Sequence, residues 1–459
     1  MLTLAELAAS VPGARLYGAG ATRIDSVSTD SRTAGAGCAF FALRGERFDA
    51  HDFVPDVVAR GARAVVVERR LETDIAQLVV GDSRRALGYA AAAWRARFTL
   101  PLIAVAGSNG KTTVTQMIGA ILAEAFGAER RLATRGNLNN EIGVPLMLFE
   151  LSARHRAAVL ELGMNHVGEI AWLAQIAQPT VALVNNAQRE HQEFLGSVEA
   201  TARENGAVIA ALPPPGVAAF PADDGCAGIW RELSGTRRVL DFAREGAAAV
   251  TAQYQLHPGS SALSIAVPAG VIEVSLQVPG AHNVHNALAA TAAALALAVP
   301  LTAIRRGLEG FGPVAGRGVT SRLRNGATLI DDTYNANPDS VRAAIDLVAG
   351  SPAPRVLVLG DMGEVGDRGP TYHREVGAYA RQLGVDVLLG FGAATAEAVV
   401  AFGAGATHCA DIEALVAAAR AAATPGATVL VKGSRFMRME RVVSALRNGA
   451  GAAQAAGVH

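Results

Sequence analysis

Residues 107–113 read GSNGKTT and lie between the apolar run PLIAVAG (101–107) and helix-period sequence at 112–126. A short apolar run closed by glycine predicts a strand buried on both faces of a parallel sheet. Glycine lets the backbone approach a ligand closely. Backbone N–H groups at the start of the following helix can hold phosphate oxygens. Lys111 adds positive charge, and the Thr112 hydroxyl suits a magnesium ion. The usual phosphate loop reads GxxxxGK[ST]. Here Val105 stands five residues before Gly110, and the first glycine is Gly107, which leaves a shorter GxxGKT loop. Gly107, Ser108, Asn109, Gly110, Lys111, Thr112 and Thr113 are the expected nucleotide cradle. The competing reading is a plain strand–turn–helix with an incidental GKT.

The elements that must position this loop follow from periodicity. AAVLELG (157–163) and TVALVNN (180–186) repeat the strand-then-polar-tip pattern and end in Glu161 and in Asn185 and Asn186. In open α/β sheets, ligands gather at such carboxyl ends. Residues 250–278 alternate apolar and polar residues, which predicts a β-hairpin. ATLIDD (327–332), RVLVLGD (355–361), VDVLLG (385–390) and ATVLVKG (427–433) are separated by helical stretches at 338–350, 371–383 and 411–423. They predict a second parallel β/α unit. ARAVVVE (62–68) and QLVVGDS (77–83) predict strands of a smaller first unit. The fold class is α/β with three domains, at 1–85, 86–312 and 313–459.

Composition bounds the function. The chain has 459 residues, 41 Lys plus Arg against 41 Asp plus Glu, and 51% hydrophobic residues. Zero net charge argues against nucleic-acid binding through bulk positive charge. Cys38, Cys226 and Cys409 lie too far apart for a metal motif or a disulfide framework. Glu6 interrupts the first apolar stretch and no basic residue precedes Arg15, so no signal peptide is expected. The uncharged stretch 280–304 contains His282, Asn283, His285, Asn286 and Pro300 and predicts a buried helix rather than a membrane span. A soluble cytoplasmic monomer is expected, with a frayed end after Arg447.

Several strings together resemble the Mur ligases, ATP-dependent enzymes that form the amide bonds of the cytoplasmic peptidoglycan precursor. The shortened GSNGKTT loop is similar to theirs. STDSRTAGAGCAFFALRGERFDAHDFV (28–54) resembles a uridine-nucleotide domain, and TRGNLNNEIGVPL (134–146) a substrate loop. ELGMNHVGEI (161–170), GAHNVHNALAA (280–290), GDMGEVG (360–366) and VKGSRFMRME (431–440) follow in family order. DDTYNANPDS (331–340) is the most branch-specific string. It points to the branch that joins D-alanyl-D-alanine to UDP-N-acetylmuramoyl-tripeptide. The resemblance covers nearly the whole chain.

The resemblance implies a carboxylate attacking the γ-phosphate of ATP. Two like charges ~4 Å apart repel by about 4 kcal/mol at an effective dielectric near 20, so cations must offset them. It implies Lys111, Glu161, His191 and Arg317 as the catalytic set, with Thr112, Glu161 and His191 as Mg2+ ligands. Asn283 and Asn286 are implied at adenine, Arg317 at the γ-phosphate and Asp332 at the ribose, with Asp331 structural. Ser31, Arg32, Arg47 and His51 are implied at the uridine end, and Asn137, Asn139 and Asn140 at the muramoyl peptide. Tyr334, Asn335 and Asn337 shape the dipeptide site, while Lys432, Ser434 and Arg435 meet peptide carboxylates. The family commonly carries a carbamylated lysine some residues after the histidine, and Asn205 stands there, with Glu204 or a chloride-like anion as the candidates to compensate. Rival readings are another amide ligase, acting on a different muramoyl peptide or on folate, and a non-catalytic P-loop switch.

Overall fold

The computed structural model describes residues 1–45 and 48–449. Arg47 and most of the tail after Arg447 therefore lie outside the described residues. Among the described residues there are five sheets: a two-stranded one pairing Leu2–Thr3 with Arg23–Ile24, three α/β sheets, and a four-stranded one built on an antiparallel meander.

The first sheet has five strands in the order Arg15–Tyr17, Ala76–Val79, Ala64–Val67, Cys38–Phe41, Ser26–Ser28. Cys38–Phe41 and Ala64–Val67 are buried throughout, as continuous apolar runs require in a covered parallel sheet. The helix Ser83–Arg95 comes next, capped by Asp82, whose carboxylate accepts the Arg84 and Arg85 N–H groups. Its alanine face shares one continuous core with Leu4, Phe41, Leu102, Leu148 and Trp230. The first unit is thus fused to the central one through packed apolar surface.

The central sheet has six parallel strands, ordered Arg238–Val239, Val217–Ala219, Val181–Val184, Leu102–Ala106, Ala157–Glu161, Arg131–Ala133. Leu102–Ala106 sits where chain order reverses. Later strands flank it on both sides, with Glu161 beside Val105 and Val184 beside Ala106 in register. A crevice at that switch point is where an open α/β sheet binds its ligand.

The helix Lys111–Phe126 leaves this crevice and is held from behind by Leu301–Glu309. The two backbones touch at Gly307, where an added Cβ would lie 2.4 Å from Ile121 Cα. Backbone cannot yield as a side-chain tip can. Gly307→Ala is therefore expected to destabilise the protein by about 1–3 kcal/mol through overpacking. A lowered urea midpoint at unchanged slope is the readout, and an unchanged midpoint would show that the helices part freely.

Two expectations need correction. The stretch 250–278 holds three antiparallel strands, Val250–His257, Ser260–Val267 and Gly270–Leu276, not a simple hairpin. Gly259 and Gly270 both take positive φ and supply two turns where one was expected. The C-terminal sheet is not wholly parallel. Its order is Val319–Arg322, Thr328–Asp332, Thr428–Lys432, Arg355–Gly360, Val387–Phe391, Ala406–Cys409, and Val319–Arg322 runs antiparallel at the edge. That strand is too exposed and polar to carry an apolar signal. The helix Thr395–Phe402 and the strand Ala406–Cys409 were not anticipated either. Among the described residues no helix is long and apolar enough to cross a membrane.

Candidate active site

The 107–110 loop turns sharply because two of its glycines hold φ of +129° and +82°. A Cβ on Gly110 would fall 2.4 Å from Asn286 Oδ1, so side chain and geometry both demand glycine there. Neighbouring strand tips brace the loop. Asn186 Oδ1 accepts the Asn109 N–H at 2.9 Å, and Asn185 Nδ2 donates to the Asn109 carbonyl at 2.7 Å. The first intrahelical bond is Val114 N–H to the Gly110 carbonyl. The N–H groups of Lys111, Thr112 and Thr113 therefore have no intrahelical acceptor and form a ready anion cradle.

Lys111 Nζ donates to the carbonyls of Gly107 (2.6 Å) and Ser108 (3.0 Å) and to Glu190 Oε1 (2.9 Å). Glu161 is buried at the tip of its strand. Its Oε1 accepts from Asn139 Nδ2 at 2.7 Å, while Oε2 has no hydrogen-bond partner. Asn139 also donates to Asn137 Oδ1, which accepts the Tyr334 hydroxyl at 2.7 Å. The 331–340 string thus reaches Glu161 through two amides. Arg317 Nη2 donates to Thr112 Oγ1 at 2.8 Å, and its guanidinium stacks 4.2 Å from the Tyr334 ring centroid.

His191 has φ of +50° and faces Glu364 Oε2 at 2.7 Å and Glu190 Oε1 at 3.5 Å. Burial lowers its pKa, but the two carboxylates outweigh it and push the imidazole up to about 9. The same contact holds Glu364 below its ordinary carboxylate value.

One cleft of about 1760 Å³ gathers these groups. Its walls include Ser108 to Thr113, Asn137, Asn139, Asn140, Glu161, His191, Asn283, Asn286, Arg317, Asp332, Tyr334, Asn335, Asn337, Lys432 and Arg435. Ser31, Arg32, His51 and Ser434 do not line it. Arg32 is exposed and paired with Asp30, and the Ser31 carbonyl accepts from Arg60.

Several expected contacts prove to have internal work. His51 is buried, with Nδ1 against Asp49 and Nε2 accepting the Glu68 N–H at 2.8 Å, so its ring shapes the loop and is not free for a nucleotide. Lys432 is buried and pairs with Asp332 Oδ2 at 2.6 Å and the Asn335 carbonyl at 3.0 Å, so it is not free for a peptide carboxylate. Ser434 accepts the Gly363 N–H and donates to the Ala336 carbonyl. Asn140 caps the turn at Ile142 and Gly143, and Asn337 caps the helix Pro338–Ala349. Asn283 and Asn286 bond each other, and Asn286 also accepts from Asn185. Asp331 holds the Thr333 hydroxyl at 2.7 Å. Asn205 Oδ1 accepts the Gly107 N–H at 2.8 Å, which makes it a brace of the loop. Glu204 cannot stand in for a carbamate, because both its oxygens accept helix-start N–H groups, from Gly168 and Ile170 at 2.9 Å. Glu190 and Glu364 were missed. Glu190 is adjacent to His191 in REHQE, and that run of charges was the one available signal.

A phosphate-type cradle, a buried carboxylate short of a partner and an arginine delivered from the C-terminal unit fit a nucleotide site, and the relatives make the protein an ATP-dependent ligase. Three family models match in chain order: the Mur ligase family catalytic domain over 23–96, the Mur ligase middle domain over 105–294, and the Mur ligase glutamate ligase domain over 316–435. The chain is 40% identical over 97% of its length, and 98% of the relative's, to UDP-N-acetylmuramoyl-tripeptide–D-alanyl-D-alanine ligase of Escherichia coli (strain K12). It superposes with a TM-score of 0.91 on a crystal structure of MurF from Acinetobacter baumannii, at 37% identity, covering 97% of this chain and 99% of that one. MurF from Thermotoga maritima in complex with ADP gives 0.81 at 26% identity, over 93% and 97%. The chain belongs to the Mur ligase family.

Proposed function

We propose that the chain joins D-alanyl-D-alanine to the free peptide carboxylate of UDP-N-acetylmuramoyl-tripeptide, with ATP converted to ADP and phosphate. The observation that carries this reading is the convergence of Lys111, Glu161, His191, Arg317 and the 332–337 string on one cleft. The full-length relatives named for that reaction support it. Residues 1–85 take the uridine nucleotide, with Ser31, Arg32 and the loop braced by His51. Residues 86–312 hold ATP, and 313–459 close over it as a monomer in the cytoplasm.

The chemistry follows from charge. The tripeptide carboxylate oxygen attacks the γ-phosphorus, and ADP leaves. The dipeptide amine, after losing a proton, attacks the carbonyl carbon of the acyl phosphate. The tetrahedral adduct then expels phosphate and leaves the amide. Lys111 and the helix-start N–H groups draw charge from the phosphates, Arg317 reaches the γ-phosphate from the C-terminal unit, and Asn137 and Asn139 orient the peptide. Glu161 would hold Mg2+, and Thr112 and His191 would join it once they give up Arg317 and the Glu190 and Glu364 carboxylates; when bound the ion supplies charge neutralisation. The unpartnered Glu161 Oε2 fits a cation. Among the described residues no three His, Cys, Asp or Glu side chains cage a metal by themselves.

A phosphate-release assay tests the reading. Release is expected only with UDP-muramoyl-tripeptide and D-alanyl-D-alanine together. Turnover with a single amino acid in place of the dipeptide would make this a different amide ligase. ATP binding without turnover on any acceptor would make it a switch.

A further inference from the structure

The loop that carries Glu190 and His191 is fastened to the C-terminal unit at consecutive points. The Arg189 N–H donates to Asp339 Oδ2 at 2.8 Å. The Arg189 guanidinium bridges two carboxylates on different helices. It donates to Asp339 Oδ1 at 2.5 Å on Pro338–Ala349, and to Glu375 Oε2 at 2.6 Å and Oε1 at 3.0 Å on Gly369–Gln382. It also stands 5.1 Å from the Tyr372 ring centroid. Two residues on, His191 meets Glu364, and the Glu193 N–H donates to the Glu364 carbonyl at 3.2 Å. Across the cleft, the Asn109 and Asn337 amides pair reciprocally at 2.9 and 3.2 Å.

We infer that Arg189 is a positioning residue: its fork across Asp339 and Glu375 couples docking of the C-terminal unit to the placement of Glu190 and His191. A planar guanidinium matched to two carboxylates fixes direction as well as distance, which a lysine ammonium cannot do. Arg189 does not line the cleft that holds the phosphate loop. It acts through the residue after it, since Glu190 fixes the Lys111 ammonium at 2.9 Å. Asp339 lies inside the 331–340 string, so the segment that shapes the dipeptide site also aims the loop facing ATP. The inference rests on the ligase reading for its consequence in turnover, and on the contacts alone for the coupling itself.

The test uses the full chain and three variants, Arg189→Ala, Arg189→Lys and Glu375→Gln. Amide hydrogen exchange reads the coupling without any turnover. The Glu193 amide is expected to exchange about tenfold faster or more in Arg189→Ala, while amides of the strand 102–106 hold their protection. In steady state kcat is expected to fall about a hundredfold, as for a small misplacement of catalytic groups. KM for ATP should move by less than about threefold, because uniform binding is untouched. Arg189→Lys should recover part of kcat and Glu375→Gln should lose part of it. Unchanged Glu193 exchange in Arg189→Ala and Glu375→Gln overturns the inference. So does a kcat loss matched by loss of strand protection, which would mean general destabilisation. Should Arg189→Ala fail to fold, Glu375→Gln decides the matter on the same amides, since Arg342 still holds that side chain at 2.9 Å. A wild-type protein that binds ATP but never turns over sinks the ligase reading, and the exchange comparison still decides the coupling.

Discussion

Lys111→Ala is expected to cut phosphate release at least about a thousandfold and to leave the fold intact. The ammonium is fixed between two loop carbonyls and Glu190, in the loop proposed to take the phosphates. Carboxylate attack on a phosphate brings like charges to about 4 Å, a repulsion of about 4 kcal/mol at a dielectric near 20. At 1.36 kcal/mol per decade, leaving it unscreened costs about three decades in rate. The fold should tolerate the change because Lys111 fills no apolar core, and Glu190 keeps its His191 contact at 3.5 Å. Initial rates, a thermal melt and nucleotide calorimetry on one preparation separate the effects. A rate within tenfold of wild type would remove Lys111 from the phosphate role. A large drop in melting temperature would recast it as structural.

What the sequence made legible were features with a local signature. Continuous apolar runs such as LIAVA and AAVLE became buried parallel strands, because a strand covered on both faces has no polar side to interrupt the run. The phosphate loop was legible because glycines, lysine and threonine must sit at fixed offsets from a helix start. Glu161 stood out as an acid at a strand tip, and strand order then put it beside Val105 in register. Pairwise fates were not legible. Nothing local says that Lys432 will be consumed by Asp332, a hundred residues away, or that Asn205 will brace Gly107. Likewise His51 is buried by the return of Glu68, a contact set by packing of the first sheet. The edge strand Val319–Arg322 escaped because an exposed polar strand is held by backbone bonds to one neighbour, which leave no side-chain pattern. Glu190 carries no local mark beyond its place beside His191, because its pairing with Lys111 spans 79 residues.

Glu161→Gln separates the electrostatics of the cleft from its architecture. The residue is only 2% exposed, and one of its carboxylate oxygens has no hydrogen-bond partner. A buried carboxylate in that condition is a cost to the folded state unless a cation answers it. Glutamine has nearly the same shape and can still accept from Asn139, so the Tyr334–Asn137–Asn139 chain should survive. The neutral amide, however, cannot answer a divalent ion. Turnover is therefore expected to fall by about a hundred- to a thousandfold, the range seen when one preorganised electrostatic group is removed. The Mg2+ concentration needed for half-maximal rate should rise. Stability should move the other way: in the absence of Mg2+ the melting temperature should equal or exceed that of wild type, because a buried charge has been removed. Rates across a Mg2+ titration and melts with and without the ion test both halves. A wild-type Mg2+ dependence in the variant would show that Glu161 holds no metal ion. A fall in the melting temperature would mean that the carboxylate is held by something other than an awaited cation.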